Sequence, residues 1–260
     1  TTGQMQFRAG ASYDDTNRDA AALSPMVAIE LVQAQGDRFY LNYAESSQVP
    51  TYTALNSNPV AGLFRGNANL GREISRNLET GFDFRLLGWR VESAFFYRRD
   101  DQLTDWTFTR GVTARTANAV DIATWGGELV AIRQTPRYRL VLGYTRLSKE
   151  AHYGAANIDA SFYALNFAEH RLTAAMMLRL GAGWELRVDN EFRVQAKNLL
   201  RVVGGDQAWG AAAGLYYLPP RLRGVEFSAL VDNLWDSNFQ QVPGVPAARR
   251  QYSVGVAYRW

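Results

Sequence analysis

Side chains that commonly do chemistry are sparse in this sequence, and their spacing suits it poorly. There are two histidines, His152 and His170, and no cysteine, which excludes disulfide, thiolate and zinc-thiolate chemistry. The histidines lack a paired metal-ligand spacing and no glycine loop is shaped to cradle a phosphate, so neither a metal nor a cofactor is expected. His170 stands four residues after Asn166, which supplies two members of a Ser-His-Asn hydrolytic arrangement. No convincing serine on an adjacent outward face completes it, and a base without a nucleophile does no acyl transfer. No catalytic residue is expected. Aromatic rings and guanidinium groups offer a different chemistry, the capture of anionic or aromatic ligands by stacking and charge-assisted hydrogen bonds. Tyr52, Arg65, Trp106, Arg110, Tyr153 and Tyr163 carry such groups in stretches read as loops, and these six are the candidate ligand-binding residues.

The elements that must position them are strands. Tyr252, Val254, Val256, Tyr258 and Trp260 fall on one face of the last segment, and Gln251, Ser253, Gly255, Ala257 and Arg259 on the other. The same period-two alternation runs through Leu78–Leu86, Tyr138–Thr145 and Trp184–Arg193. Twelve segments of this kind are predicted, near 4–13, 25–34, 38–46, 76–86, 89–100, 119–133, 137–148, 169–180, 183–194, 206–218, 223–234 and 250–260. The sixth is the least regular, being partly apolar on both faces.

The connections alternate as well. Short turns are expected at Gln35-Gly36-Asp37, Leu87-Gly88, Thr135-Pro136, Gly181-Ala182-Gly183 and Pro219-Pro220, with long loops near 47–75, 101–118, 149–168, 195–205 and 235–249. Short turns at one end and long loops at the other are the asymmetry of bacterial outer-membrane barrels, whose short turns are periplasmic. Hydrophobic residues make up 47% of the chain, yet no apolar run approaches the roughly 20 residues of a spanning helix, which excludes a helical membrane protein.

Aromatic placement agrees with a membrane barrel. Phe39, Trp89, Tyr138 and Trp184 open the outward strands on the apolar face, and Tyr43, Tyr97, Tyr144 and Phe192 close them on that same face. Rings at both ends of an apolar band form interfacial girdles, whereas a soluble sandwich gathers its aromatics mid-strand. The opposite face carries Glu30, Glu79, Asp83, Arg85, Arg90, Glu92, Arg98, Glu185, Arg187, Asp189, Glu191 and Arg193, which belong in a wet or plugged lumen. A net charge of +3 is too small to argue for nucleic acid. The expected class is all-β, an antiparallel transmembrane β-barrel, with 1–260 a single barrel portion.

Several stretches resemble one family. Val231-Asp232-Asn233-Leu234-Trp235-Asp236, then Gln241-Val242-Pro243-Gly244, then Arg249 through Trp260 look like the end of TonB-dependent outer-membrane receptors. Those close with an Asn-Leu-Phe-Asp segment, a Pro-Gly loop and a last strand ending in an aromatic; here Trp stands at the Phe position and at the terminus. Tyr40–Ser46 followed by Val49–Leu55 is similar to the family's strand leading into a Pro-containing outer loop. Asn69–Gly81 and Gly126-Gly127-Glu128-Leu129 resemble two further strand signatures, in the family's order.

The resemblance implies a barrel of about 22 strands, of which this chain supplies the C-terminal half. It also implies TonB-dependent uptake of a scarce nutrient, an iron-siderophore or a cobalamin-like ligand, across the outer membrane. The implied partners are outer-membrane lipid, the nutrient, the TonB complex through an N-terminal region this chain lacks, and the barrel-insertion machinery. That machinery would read Tyr252, Val254, Val256, Tyr258 and Trp260. A plug domain and a TonB-binding segment are expected to be absent here. No leader peptide is read, because Thr1-Thr2-Gly3-Gln4 already looks like strand, so a mature product or a fragment is expected. Two alternatives stay open: a stand-alone twelve-stranded passive pore, since an even count lets first and last strands pair, and, more remotely, an enzyme like outer-membrane phospholipase.

Overall fold

The computed structural model describes residues 3–33, 36–242, 245 and 247–260. In chain order the elements are β1 (Gln4–Asp14), β2 (Ala22–Val32), β3 (Arg38–Gln48), α1 (Tyr52–Asn56), β4 (Phe64–Arg65), β5 (Glu73–Leu86), β6 (Trp89–Phe108) and β7 (Arg115–Gln134). They continue as β8 (Tyr138–His152), β9 (Ala160–Ser161), β10 (Ala168–Gly181), β11 (Trp184–Gln195), β12 (Gln207–Tyr217), β13 (Val225–Asp232) and β14 (Gln251–Tyr258). Twelve of the strands form one antiparallel meander, each hydrogen-bonded to its sequence neighbours, while β4 and β9 are two-residue strands set in loops. Among the described residues no pairing joins β1 to β14, so the sheet is open with two free edges.

Directly opposed residues in a ladder share a face, so one choice of side propagates across the whole sheet. One row runs Leu31, Phe39, Phe82, Ser93, Leu129, Tyr144, Leu172, Phe192, Trp209. It lies on the face that also carries Phe84, Val91 and Phe95, and β14 adds Tyr252, Val254, Val256 and Tyr258 to that side. This is the lipid-side face. Its aromatics pair at two levels: Phe39 with Phe82 at 5.4 Å and Trp184 with Tyr217 at 4.5 Å toward the short turns, Tyr97 with Trp125 at 4.4 Å and Phe192 with Trp209 at 4.5 Å toward the long loops. The girdles are there.

The lumen-side face holds the charges, and many are paired along or across strands. Arg8 and Arg38 reach Glu30 at 3.2 and 3.7 Å, Arg90 bridges Asp83 at 2.7 Å and Glu92 at 2.9 Å, and Arg171 meets Glu191 at 2.5 Å. Glycines let aromatics lie flat against this wall. Phe96 covers Gly126, where a Cβ would fall 2.1 Å from the ring.

Two of the short turns have a particular geometry. Leu87 and Gly88 have φ of +51° and +80°, Ala182 and Gly183 have +51° and +87°, and positive φ at both central residues marks the type I′ hairpin turn that matches strand twist. Gly183 has no substitute, because a Cβ there would lie 2.1 Å from the Leu218 carbonyl oxygen.

Several predicted boundaries shift; β5 begins at Glu73 and β8 runs on to His152, each beyond the predicted limit. The second strand begins at Ala22, not at 25, and ends at Val32. The last ends at Tyr258, leaving Trp260 beyond it. The stretch 101–118, expected to be a loop, is mostly strand: β6 and β7 continue as a ribbon of 20 residues a side. A bulge at Asp101–Gln102, where Gln102 has φ +59°, breaks the alternation and hid the continuation. Thr1, Thr2, Ala34, Gln35 and the Pro243-Gly244 pair lie outside the described residues.

Candidate functional site

The ribbon beyond the bulge is the axis of the long-loop end. Trp106 opposes Ala117 and Thr104 opposes Ala119 on one face, while Leu103 opposes Val120 and Asp105 opposes Asn118 on the other. The β3–β5 connection covers the first face, packing Ala54, Leu55 and Leu70 against Ala117 and Trp106. The β8–β10 connection covers the second, packing Ala164 and Tyr153 against Val120 and Ile122. Each connection then crosses to the far strand: β4 pairs with β7, and β9 pairs with β6. Both ribbon edges are thereby capped, which removes exposed strand edges from the aqueous side. Apolar residues on both faces also explain why the stretch lacks the polar/apolar alternation of the strands below it.

Asp105 holds the second face together. It is fully buried, and its carboxyl accepts hydrogen bonds from the Tyr153 hydroxyl at 2.9 Å and the backbone N–H groups of Tyr163 at 3.1 Å and Ala164 at 2.9 Å. Burial first, then the neighbouring Asp105 charge, raises the Tyr153 phenol far above its ordinary value, so it stays a donor. On the first face Arg115 lies over Phe108 at 4.5 Å, Phe162 at 5.2 Å and Phe64 at 5.6 Å.

Further arginines tie the remaining loops into the same layer. Arg18 donates to the carbonyls of Ala68 at 2.9 Å and Leu70 at 3.2 Å. Asp19 accepts from the Ala20 N–H at 2.8 Å and from the Arg72 N–H at 2.7 Å, and these bonds, the Ala20 one first, hold its carboxyl below the usual range. Arg201, its side chain entirely buried, donates to the Gln240 carbonyl at 3.0 Å, to Asp206 at 2.9 Å and to Asn166 at 2.9 Å. It thus joins the β8–β10, β11–β12 and β13–β14 connections. The Asn233–Asp236 turn closes the last of these: Asn233 donates to Ser237 and Ala248 carbonyls at 2.9 and 2.8 Å, and Asp236 accepts from Arg249 Nε at 3.0 Å. The turn that carried the family resemblance is therefore a clasp that delivers the chain into β14.

The six candidate residues fall on this layer but play different parts. Tyr52 lies on α1 and is 81% exposed, Tyr163 is 55% exposed, and Arg110 is exposed at the ribbon tip with its N–H bonded to Asp159. Trp106 is a half-buried strand residue edge-on to Phe64 at 5.2 Å, not a loop residue. Tyr153 is committed to Asp105, and Arg65 is half-buried in β4. Sequence reading missed Asp105, whose partners stand 48 to 59 residues away, and Arg201, which adds Asn166 and Gln240 at 35 and 39 residues to a local partner, Asp206. It also missed a cavity of about 400 Å³ between Glu191 and Arg193 on the lumen-side wall and Ser237, Phe239 and Gln241 of the β13–β14 connection. Such a volume is within the ~300–1,000 Å³ of small-molecule sites. His170 is hydrogen-bonded to the Tyr144 hydroxyl at 2.8 Å and Asn166 to Gln195 and Arg201, so this pair is not arranged as a hydrolytic site.

Comparison with known proteins agrees with this architecture. The chain is similar to the copper transporter OprC over 93% of its length and 40% of that chain, at 18% identity and a TM-score of 0.68. It matches the FrpB iron transporter from Neisseria meningitidis over 92% and 39%, at 16% identity and a TM-score of 0.70. It matches the siderophore receptor PirA from Pseudomonas aeruginosa over 98% and 43%, at 16% identity and a TM-score of 0.69. The chain therefore spans about two fifths of the length of each of these structures. No curated protein matches it in sequence. The family model described as TonB dependent receptor-like, beta-barrel, matches residues 1–260. Members of that family are bacterial outer-membrane barrels, and the chain belongs to it, as a transmembrane β-barrel portion of a TonB-dependent receptor.

Proposed function

We propose that this chain supplies the C-terminal barrel wall and the outer loops of a receptor that captures a scarce nutrient and takes it across the outer membrane in a TonB-dependent step. The observation that carries the reading is the interlocked loop layer standing above a charged lumen-side wall. Asp105, Arg72 and Arg201 hold the loops in one arrangement, which lowers the ordering cost of binding. Tyr52, Arg110 and Tyr163 remain exposed on that layer, and the cavity beside Arg193 lies beneath its far end. Rings and guanidinium groups suit an anionic metal chelate with aromatic donors, and the similar structures named for copper, iron and siderophore transport favour a metal-bearing cargo over cobalamin. Coupling to TonB and the plug that would fill the lumen are assigned to parts of the receptor outside these residues.

The test is binding of a panel of ferric siderophores, copper chelates and cobalamin to the full-length receptor, followed by titration calorimetry. Arg110→Ala with Tyr163→Ala is expected to weaken the preferred ligand about tenfold or more, from loss of one charge-assisted bond and one stacked ring. Unchanged affinity in that variant would remove these residues from the binding surface. The pore alternative needs a β1–β14 pairing, and none is present among the described residues.

A further inference from the structure

A second surface faces away from the lumen-side wall and the cavity beside Arg193. On the lipid-side face, the outer parts of β6, β7 and β8 enclose a groove of about 620 Å³. Its floor is main chain. Gly127 lies between its cross-strand partners Phe95 and Arg146 and contributes no side chain. Phe95, Trp125 and Leu129 wall the groove with exposed apolar surface, and Tyr144 lines it beside them. Tyr144 is in the outer aromatic girdle, and Arg146 is two residues further out, about 6–7 Å along the strand. That is the level of lipid headgroups.

The charge at this level is unmatched. Arg76 and Arg99 on the same face are neutralised by Glu45 and Asp101. Arg146 is exposed, and among the described residues its guanidinium has no carboxylate partner. An arginine facing a bilayer recruits an anion, and the anion fixed at this depth is a lipid phosphate. We propose that the groove binds a phosphate-bearing lipid of the outer leaflet, with one acyl chain lying over Gly127 and the phosphate on Arg146. Inorganic phosphate lacks the chain and a neutral lipid lacks the charge, so neither satisfies both halves of the groove.

The test uses the full-length receptor purified from outer membranes in mild detergent and examined by native mass spectrometry. It is then titrated with bisphosphorylated lipid A, with the same lipid dephosphorylated, and with inorganic phosphate. A phosphorylated lipid should co-purify, and Arg146→Ala should weaken lipid A binding about fivefold to tenfold while Arg146→Lys retains most of it. Dephosphorylated lipid should bind wild type as weakly as lipid A binds Arg146→Ala. The control Arg99→Ala should match wild type, and millimolar phosphate should not compete. Equal affinity of Arg146→Ala and wild type, indifference to the lipid phosphate, or displacement by inorganic phosphate would overturn the proposal. So would recovery of a protein seated on this face in place of lipid. Heat-modifiable mobility establishes that each variant has folded before its binding is read.

Discussion

At the scale of the residue, the outer layer depends on a few buried polar groups. Replacing Asp105 with Ala leaves a phenol and two backbone N–H groups buried without an acceptor, each costing about 1–3 kcal/mol. Hydrogen exchange across 153–167 is expected to rise by orders of magnitude in that variant, with the barrel strands unchanged. Asp105→Asn keeps an acceptor oxygen and should fall between the two; wild-type protection in Asp105→Ala would show that the carboxyl holds nothing. The Asp236 clasp has a pH signature. Bonds from Arg249, then from the Arg250 N–H, hold its carboxyl below the usual range. A carboxylate with a depressed folded value stabilises fully above its ordinary value near ~3.9 and loses that contribution as pH falls through the folded value. Proteolysis of the segment 233–250 by an acid-active protease should therefore be slow at pH 5 and accelerate below about pH 4. Asp236→Asn should be cut readily at both values, and a wild-type rate independent of pH across this window would contradict the clasp.

At the scale of the element, the strands were legible and the loops were not, for a physical reason. A strand between lipid and lumen must alternate, so period two is written into residues such as Leu78–Leu86 and Trp184–Arg193, and twelve long strands appear where alternation predicts them. The hairpin expected through Leu87-Gly88 forms with Phe82, Phe84, Val91 and Phe95 on the lipid-side face. Above the membrane the constraint changes. The β6–β7 ribbon is covered on both faces by its neighbours' loops, so its residues need not alternate, and the bulge at Gln102 shifts their phase. The binding candidates suffered for the same reason: Trp106 and Tyr153 were read as displayed side chains and are packing residues. The proposed insertion signal belongs to this scale too. Tyr252, Val254, Val256 and Tyr258 share the lipid-side face of β14, with Trp260 beyond the strand. Deleting Tyr258–Trp260 from the full-length receptor is expected to abolish outer-membrane insertion. A normal amount of heat-modifiable barrel after that deletion would refute the assignment.

At the scale of the whole molecule, the edges decide how these strands are used. β1 and β14, of 11 and 8 residues, leave rows of unpaired N–H and C=O groups. In hydrocarbon each orphan costs several kcal/mol, so the two edges together cost on the order of tens of kcal/mol. Such a sheet persists in a membrane only when its edges are paired. Joined to each other they would make a narrow barrel crowded by Arg8, Glu30, Arg38, Asp83, Arg90, Glu92, Arg187 and Glu191. Joined to further strands they would make the wide barrel of the similar structures, in which the paired charges have room for water or a plug. The most direct measurement is to refold residues 1–260 alone into lipid bilayers beside the full-length receptor, recording heat-modifiable mobility, single-channel conductance and ligand uptake. The account predicts that the isolated chain gives no stable closed barrel, no steady conductance and no uptake, whereas a folded, conducting barrel of twelve strands would contradict it.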